Sequence, residues 1–242
     1  MFKRSPTLTE QIKAYIKERI VNNEFADGRI PPETELANLL GVSRTTIRDA
    51  LSRLEIEGVV VRKQGAGTFI NKPILQIHSR LEEIWSYESV LQAHGYTPSV
   101  RLLAFQKNQE APNIAKALGL GEDATFLFIE KLFRENSTPV ILTRNWIPET
   151  FLVQDLGEEN AKSPIYEFLE DCCQQQLAYY LSDLVPISAD AEIAARLRVP
   201  QKTALLTFEE VGYNGDDAPI LKAQSFFRDD LMRFRLIRRR TP

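Results

Sequence analysis

Arg44 and Arg48 stand one helical turn apart, directly behind Ser43. Serine is a favoured helix N-cap, and Gly58 is a stop, so the spacing predicts a helix from Arg44 to about Glu57 with both arginines near its start. A guanidinium fork there can hydrogen-bond O6 and N7 of a guanine together. The short side chains Ser43, Thr45 and Thr46 suit phosphates or the thymine methyl, and the helix N-terminus itself attracts a phosphate. Further on, Lys63-Gln64-Gly65 caps a slim predicted hairpin, narrow enough to enter a minor groove or lie along a backbone. Taken singly, each of these residues reads as solvated surface. Their order along the chain points to duplex DNA.

The elements that must position them are legible. Thr7-Leu8-Thr9-Glu10 has the pattern of a capping box. Ile12, Tyr15, Ile16 and Ile20 then recur at helical spacing, which predicts a first helix to about Asn22. Pro31-Pro32 punctuates, Glu33-Thr34-Glu35 opens a short second helix with acids at its positive end, and Gly41 closes it. The third helix has an apolar side of Ile47, Ala50, Leu51 and Leu54. Val59 to Arg62 and Thr68 to Ile70 form a hairpin around Lys63-Gln64-Gly65-Ala66-Gly67. Helix, helix, tight turn, helix and two-stranded wing make a winged helix-turn-helix.

Charge supports this split. The whole chain of 242 residues has a net charge of −3, which alone argues against a polyanionic partner. Residues 1–72, however, hold 12 Lys/Arg against 9 Asp/Glu. The excess acid lies in the remainder, as expected of a polyanion-binding module joined to an acidic partner domain. With 43% hydrophobic residues the chain can bury a real core. No apolar run reaches the ~18 residues of a membrane helix, and no signal peptide is read at the start. The adjacent Cys172 and Cys173 suit a reducing cytoplasm better than a disulfide scaffold. They read as helix packing or, alternatively, an oxidant sensor. Two histidines, His78 and His94, with that pair write no zinc pattern. No metal, cofactor or catalytic set is expected, nor a membrane partner.

The stretches Arg29 to Ala37, Leu40 to Leu51, Leu54 to Gly58 and Gln64 to Phe69 closely resemble the DNA-binding half of GntR-family bacterial transcription regulators. The resemblance covers most of residues 8–71 and carries family DNA contacts to Arg44, Thr45, Thr46, Arg48, Gln64 and Gly65. Where some members place a DNA-reaching arginine, this chain has Thr34, which cannot make a bidentate base contact; where many have a capping serine, it has Pro32.

After Asn71-Lys72-Pro73 a helix is predicted over about Ser79–His94. Strands follow at Val100–Gln106, Thr125–Phe133, Val140–Ile147, Ala178–Pro186, Ala204–Tyr213, Ile220–Phe227 and Phe234–Ile237, with helices at Ala111–Leu118, Ile165–Gln174 and Ala189–Leu197. This is an antiparallel-rich α+β domain. It contains an internal repeat: Ile114 to Leu118 matches Ile193 to Leu197, and Glu130 then matches Glu209. Two such units can pack as a pseudo-symmetric sheet with a cleft where they meet. The expected division is a DNA-binding domain at 1–71, a linker at 72–80 and a sensor and dimerisation domain at 81–242.

Ala117 to Leu120, Thr138-Pro139-Val140, Trp146-Ile147-Pro148, Ser163 to Glu167 and Phe227 to Asp230 resemble the UTRA effector-binding domain of the HutC-like branch of that family, which shares its fold with chorismate lyase. The resemblance implies a small-molecule sensor, a homodimer, a pseudo-palindromic operator and a place in the bacterial cytoplasm. It also locates the ligand positions. Sugar-phosphate-sensing members carry two alternating arginines where this chain has Lys131 and Phe133; glutamates in those members correspond to Thr143 and Leu221. A lysine is a point charge without the arginine fork, so a smaller anion is expected, with Lys131 as counter-charge and Arg101 or Arg144 in reserve. Thr143, Asn145, Tyr180, Ser182 and Gln224 are candidate hydrogen-bonding residues. Three functions follow: a repressor released by a small anionic metabolite, a DNA-binding protein whose sensor has lost its ligand and only dimerises, or an enzyme on the lyase-like fold. No nucleophile–base pair favours the last.

Overall fold

The computed structural model describes residues 6–71, 81, 84–153, 156–232 and 234. The chain divides into two compact units, residues 1–78 and 79–242. The expected linker 72–80 and most of the strand expected at Phe234–Ile237 lie outside the described residues; Phe234 itself is not in a strand.

In the first unit α1 spans Leu8–Val21, α2 Glu33–Leu40 and α3 Arg44–Ile56. Thr7 caps α1 by accepting from the Glu10 amide at 3.3 Å. The Glu10 carboxylate turns to Lys13 and Arg53 instead of completing a capping box. Gly41 closes α2 at φ +66°, a left-handed conformation that suits glycine. Ile12, Ile16 and Ile20 of α1 meet Leu36 of α2 and Ile47, Ala50, Leu51 and Leu54 of α3 in one core, so every expected α3 core position is buried. The wing pairs β2 (Val60–Lys63) with β3 (Gly67–Ile70). A two-residue strand, β1 (Arg29–Ile30), pairs with the outer side of β3. It is too short to show a period in sequence.

The second unit is a six-stranded antiparallel sheet ordered β4-β5-β6-β9-β8-β7. The strands are β4 Pro98–Glu110, β5 Thr125–Glu135, β6 Thr138–Pro148, β7 Leu177–Ser188, β8 Ala204–Asn214 and β9 Pro219–Phe227. The order is its own mirror about the β6–β9 pair. Each half runs strand, helix, strand, turn, strand, with α5 (Pro112–Ala117) and α7 (Ala191–Leu197) at matching places. These helices carry the two repeated peptides, and Ala115 with Leu118 is buried as Ala194 with Leu197 is.

Alternation along the strands sends α7 to one face, against Leu132, Leu142 and Phe226. The other face carries α6 (Ile165–Cys173) over Leu127, Ile129 and Ile147, and α4 (Tyr87–Ala93) over Phe133, Ile141 and Phe227. The α4 helix starts later than the expected Ser79–His94. Ser86 accepts from the Ser89 amide at 3.1 Å and caps it there, leaving Ile84 and Trp85 outside the helix. Among the described residues no helix is long and apolar enough to cross a membrane.

Candidate nucleic-acid interface and effector cavity

The interface is built on the start of α3. Ser43 caps it: the hydroxyl accepts from the Thr46 amide at 3.1 Å and shares a hydrogen bond with the Thr46 hydroxyl at 2.7 Å. Such a cap is worth about 1 kcal/mol. It also fixes which side chains stand at the helix tip. Arg44, Thr45 and Arg48 are exposed there, and Thr34 is exposed on α2. Arg48 is not loose. Its guanidinium lies against Glu33 on the first turn of α2, while its side chain stays 56% exposed.

Arg62 of β2 ties the wing to the same helix. It donates to the Arg48 carbonyl at 3.1 Å and to Ser52 at 3.2 Å, and its guanidinium pairs with Glu55. The wing tip Lys63-Gln64-Gly65 is exposed, with Gly65 at φ +73°. The Lys63 ammonium sits 5.0 Å from the Phe69 ring centroid, a cation–π contact that holds this charge on the wing. The structure thus places all nine expected DNA-facing residues in the first unit, eight of them exposed and Thr46 partly covered by its bond to Ser43.

The second unit holds a cavity of about 420 Å³ between the sheet and the segments before α4 and α6. That volume suits a small metabolite. Six expected residues line it: Lys131, Phe133, Thr143, Asn145, Tyr180 and Ser182. Register brings them together, since Lys131 pairs with Thr143 and Thr143 with Ser225, while Asn145 pairs with Ala223 and Ala223 with Glu210.

Two expected residues face the other way. Leu102 pairs with Lys131, so Arg101 turns to the opposite face and is exposed. Gln224 pairs with Arg144 and Glu209, one residue out of phase with the cavity. Arg144 itself serves that opposite face, bonding the buried Glu130 at 2.9 Å and Glu192 at 2.6 Å.

Lys131 is 3% exposed, and its ammonium donates to the Ser163 carbonyl. Ser163 immediately precedes Pro164, Ile165 and Tyr166, which also line the cavity. Burial pulls the Lys131 pKa down to about 8, and the nearby Glu88 charge opposes the fall. Ser225 accepts from the Tyr87 hydroxyl at 2.7 Å.

Sequence reasoning missed Glu210, Tyr87, Glu88, Tyr166 and Ser225. The repeat drew attention to Glu209, but its neighbour Glu210 faces the cavity. Cys172 and Cys173 are both buried in the α6 core. Burial, then the neighbouring Cys172, pushes the Cys173 thiol up to about 12, which suits packing and not redox sensing.

Comparison with known proteins places both units. Residues 8–70 match the model for bacterial regulatory proteins of the gntR family, and residues 93–233 match the UTRA domain model. The chain is 30% identical over 234 residues to the HTH-type transcriptional repressor NagR of Bacillus subtilis, covering 96% of this chain and 95% of that one. It is 29% identical over 204 residues to the histidine utilization repressor of Pseudomonas putida, covering 84% and 77% respectively. Among solved structures, the possible transcriptional regulator YydK of Bacillus subtilis superposes with a TM-score of 0.75 at 18% identity, covering 97% of this chain and 100% of that chain. PhnF of Mycobacterium smegmatis gives 0.59 at 23%, with 95% and 100% covered.

Proposed function

The chain belongs to the gntR family of bacterial transcription regulators, in the HutC-like branch with a UTRA domain, and from that premise we propose that it is a repressor released from DNA by a small anionic metabolite. The observation that carries the reading is the pairing of two sites in one chain: a capped, exposed helix tip with Arg44 and Arg48, and a cavity with a buried lysine. Two copies would set two recognition helices on successive major-groove faces of a pseudo-palindromic operator, about 34 Å apart. Thr34, Ser43, Arg44, Thr45, Thr46, Arg48, Lys63, Gln64 and Gly65 form the DNA surface. Residues 1–71 read DNA, residues 81–242 sense and dimerise, and 72–80 join them. The site of action is the bacterial cytoplasm.

The ligand regulates only if it binds the DNA-competent and incompetent arrangements with different affinity. Lys131 is the counter-charge for its anionic group, and Thr143, Asn145, Tyr180 and Ser182 offer hydrogen bonds around it. The absence of an arginine pair at 131 and 133 favours a second reading, in which the sensor half only dimerises. A thermal-shift screen of anionic metabolites separates the two. A true effector at 100 times its dissociation constant stabilises the protein by about 2.7 kcal/mol and weakens operator binding. A screen without stabilisation supports the second reading.

A further inference from the structure

The charges of the cavity are not matched to one another. Lys131 on β5 and Glu210 on β8 are separated by β6 and β9, three inter-strand steps or about 14 Å at the backbone. The Lys131 ammonium donates to the Ser163 carbonyl and feels Glu88, whereas the Glu210 carboxylate accepts from the Ser182 hydroxyl and feels Lys222. Neither charge partners the other.

Glu210 is 8% exposed and lines the cavity. The hydrogen bond described for this carboxylate is the one from Ser182, and it goes to Oε1 at 2.5 Å. Burial first, and then the nearby Glu210 charge, holds the hydroxyls of Tyr87 and Tyr180 well above the usual phenol range. This end of the cavity is therefore a buried carboxylate beside two phenol rings. It repels an anion. An ammonium group suits it, taking a charge-assisted hydrogen bond to the carboxylate and lying against electron-rich ring faces. Burial also pushes the Glu210 carboxyl up, and a bound cation would oppose that rise.

We infer that the effector is amphoteric: it carries a protonated amine for Glu210 as well as an anionic group for Lys131, at separate ends of an apolar or aromatic middle. This inference rests on the effector reading above. Phe133 and Phe208 on the cavity wall supply the apolar contact for that middle.

The test is calorimetric titration of the full chain at pH 7 with three probes, 6-aminohexanoate, 6-hydroxyhexanoate and hexanoate. The amine end is the only variable of charge among them. The expected result is that 6-aminohexanoate binds about tenfold tighter than either of the others, and that Glu210→Gln erases this preference without weakening hexanoate binding. Lys131→Met weakens all three. Equal binding of the amine and the alcohol, or a preference that survives in Glu210→Gln, overturns the inference; if hexanoate binding still depends on Lys131, the anion site stands without it. Binding of none of the three at 20-fold excess over millimolar affinity overturns both. Should Glu210→Gln fail to fold by circular dichroism, the wild-type ranking of the three probes decides alone.

Discussion

The guanidinium of Arg48 is held by the carboxylate of Glu33, with Nε at 3.2 Å and Nη2 at 3.1 Å from Oε2. A residue of α2 thus aims a residue of α3 outward before DNA arrives. The pair is solvent-exposed on the arginine side, so its own stabilising value is small. Its consequence is positional: the fork is pre-set, and part of its charge is screened from indiscriminate phosphate contact.

Arg48→Ala is therefore expected to cost about 1–3 kcal/mol of operator affinity and relax preference at one base-pair position. Glu33→Gln is expected to do something different, raising affinity for unrelated duplex more than for operator. Fluorescence anisotropy on both duplexes measures this. A glutamine variant with an unchanged ratio of the two affinities would show that Glu33 does not shape discrimination.

The exposed wing tip carries the Lys63 charge, and its expected contribution is to phosphates and not to base edges. Lys63→Ala is expected to weaken binding to all sequences about equally and reduce the salt slope by about one. A loss confined to one operator position would instead place Lys63 on a base.

Affinity for an anionic effector should depend on pH through Lys131. Below about 8 the ammonium is charged in the empty cavity; above it the proton is lost and with it the attraction. Glu88 and the Ser163 carbonyl are the groups that face it. Titration with an anion whose own charge is constant should show affinity falling as pH rises past 8. Lys131→Met should bind weakly and without that fall. A flat profile in the wild type would remove Lys131 from the ligand.

The buried thiols should be inert. With the Cys173 thiol raised to about 12, iodoacetamide at pH 8 is expected to modify the native protein more than about a hundredfold slower than the unfolded chain. Rapid native labelling would restore the oxidant-sensing alternative.

The DNA-binding unit was legible because its information is local. The cap at Ser43, the spacing of Ile47, Leu51 and Leu54, and the glycines at 41 and 65 each set a nearby backbone choice. The cavity was half legible. Lys131, Phe133, Thr143 and Asn145 follow from strand alternation on neighbouring strands. Gln224 does not, because β9 is aligned to β6 so that Ser225, one residue later, lies opposite Thr143; a single strand carries no trace of that register. Arg101 fails for the same reason on β4. Glu210 and Tyr87 reach the cavity from a distant strand and from a helix that Ser86 starts late, relationships that only the assembled sheet creates.

The most direct test of the account is selection of fragments from the source genome by the purified full chain, followed by sequencing. The account predicts enrichment of one short, two-fold-symmetric site, with the preference at one base-pair position relaxed in Arg48→Ala. Diffuse, salt-sensitive recovery with no shared motif would contradict it, because α3 and the wing would then grip phosphates alone.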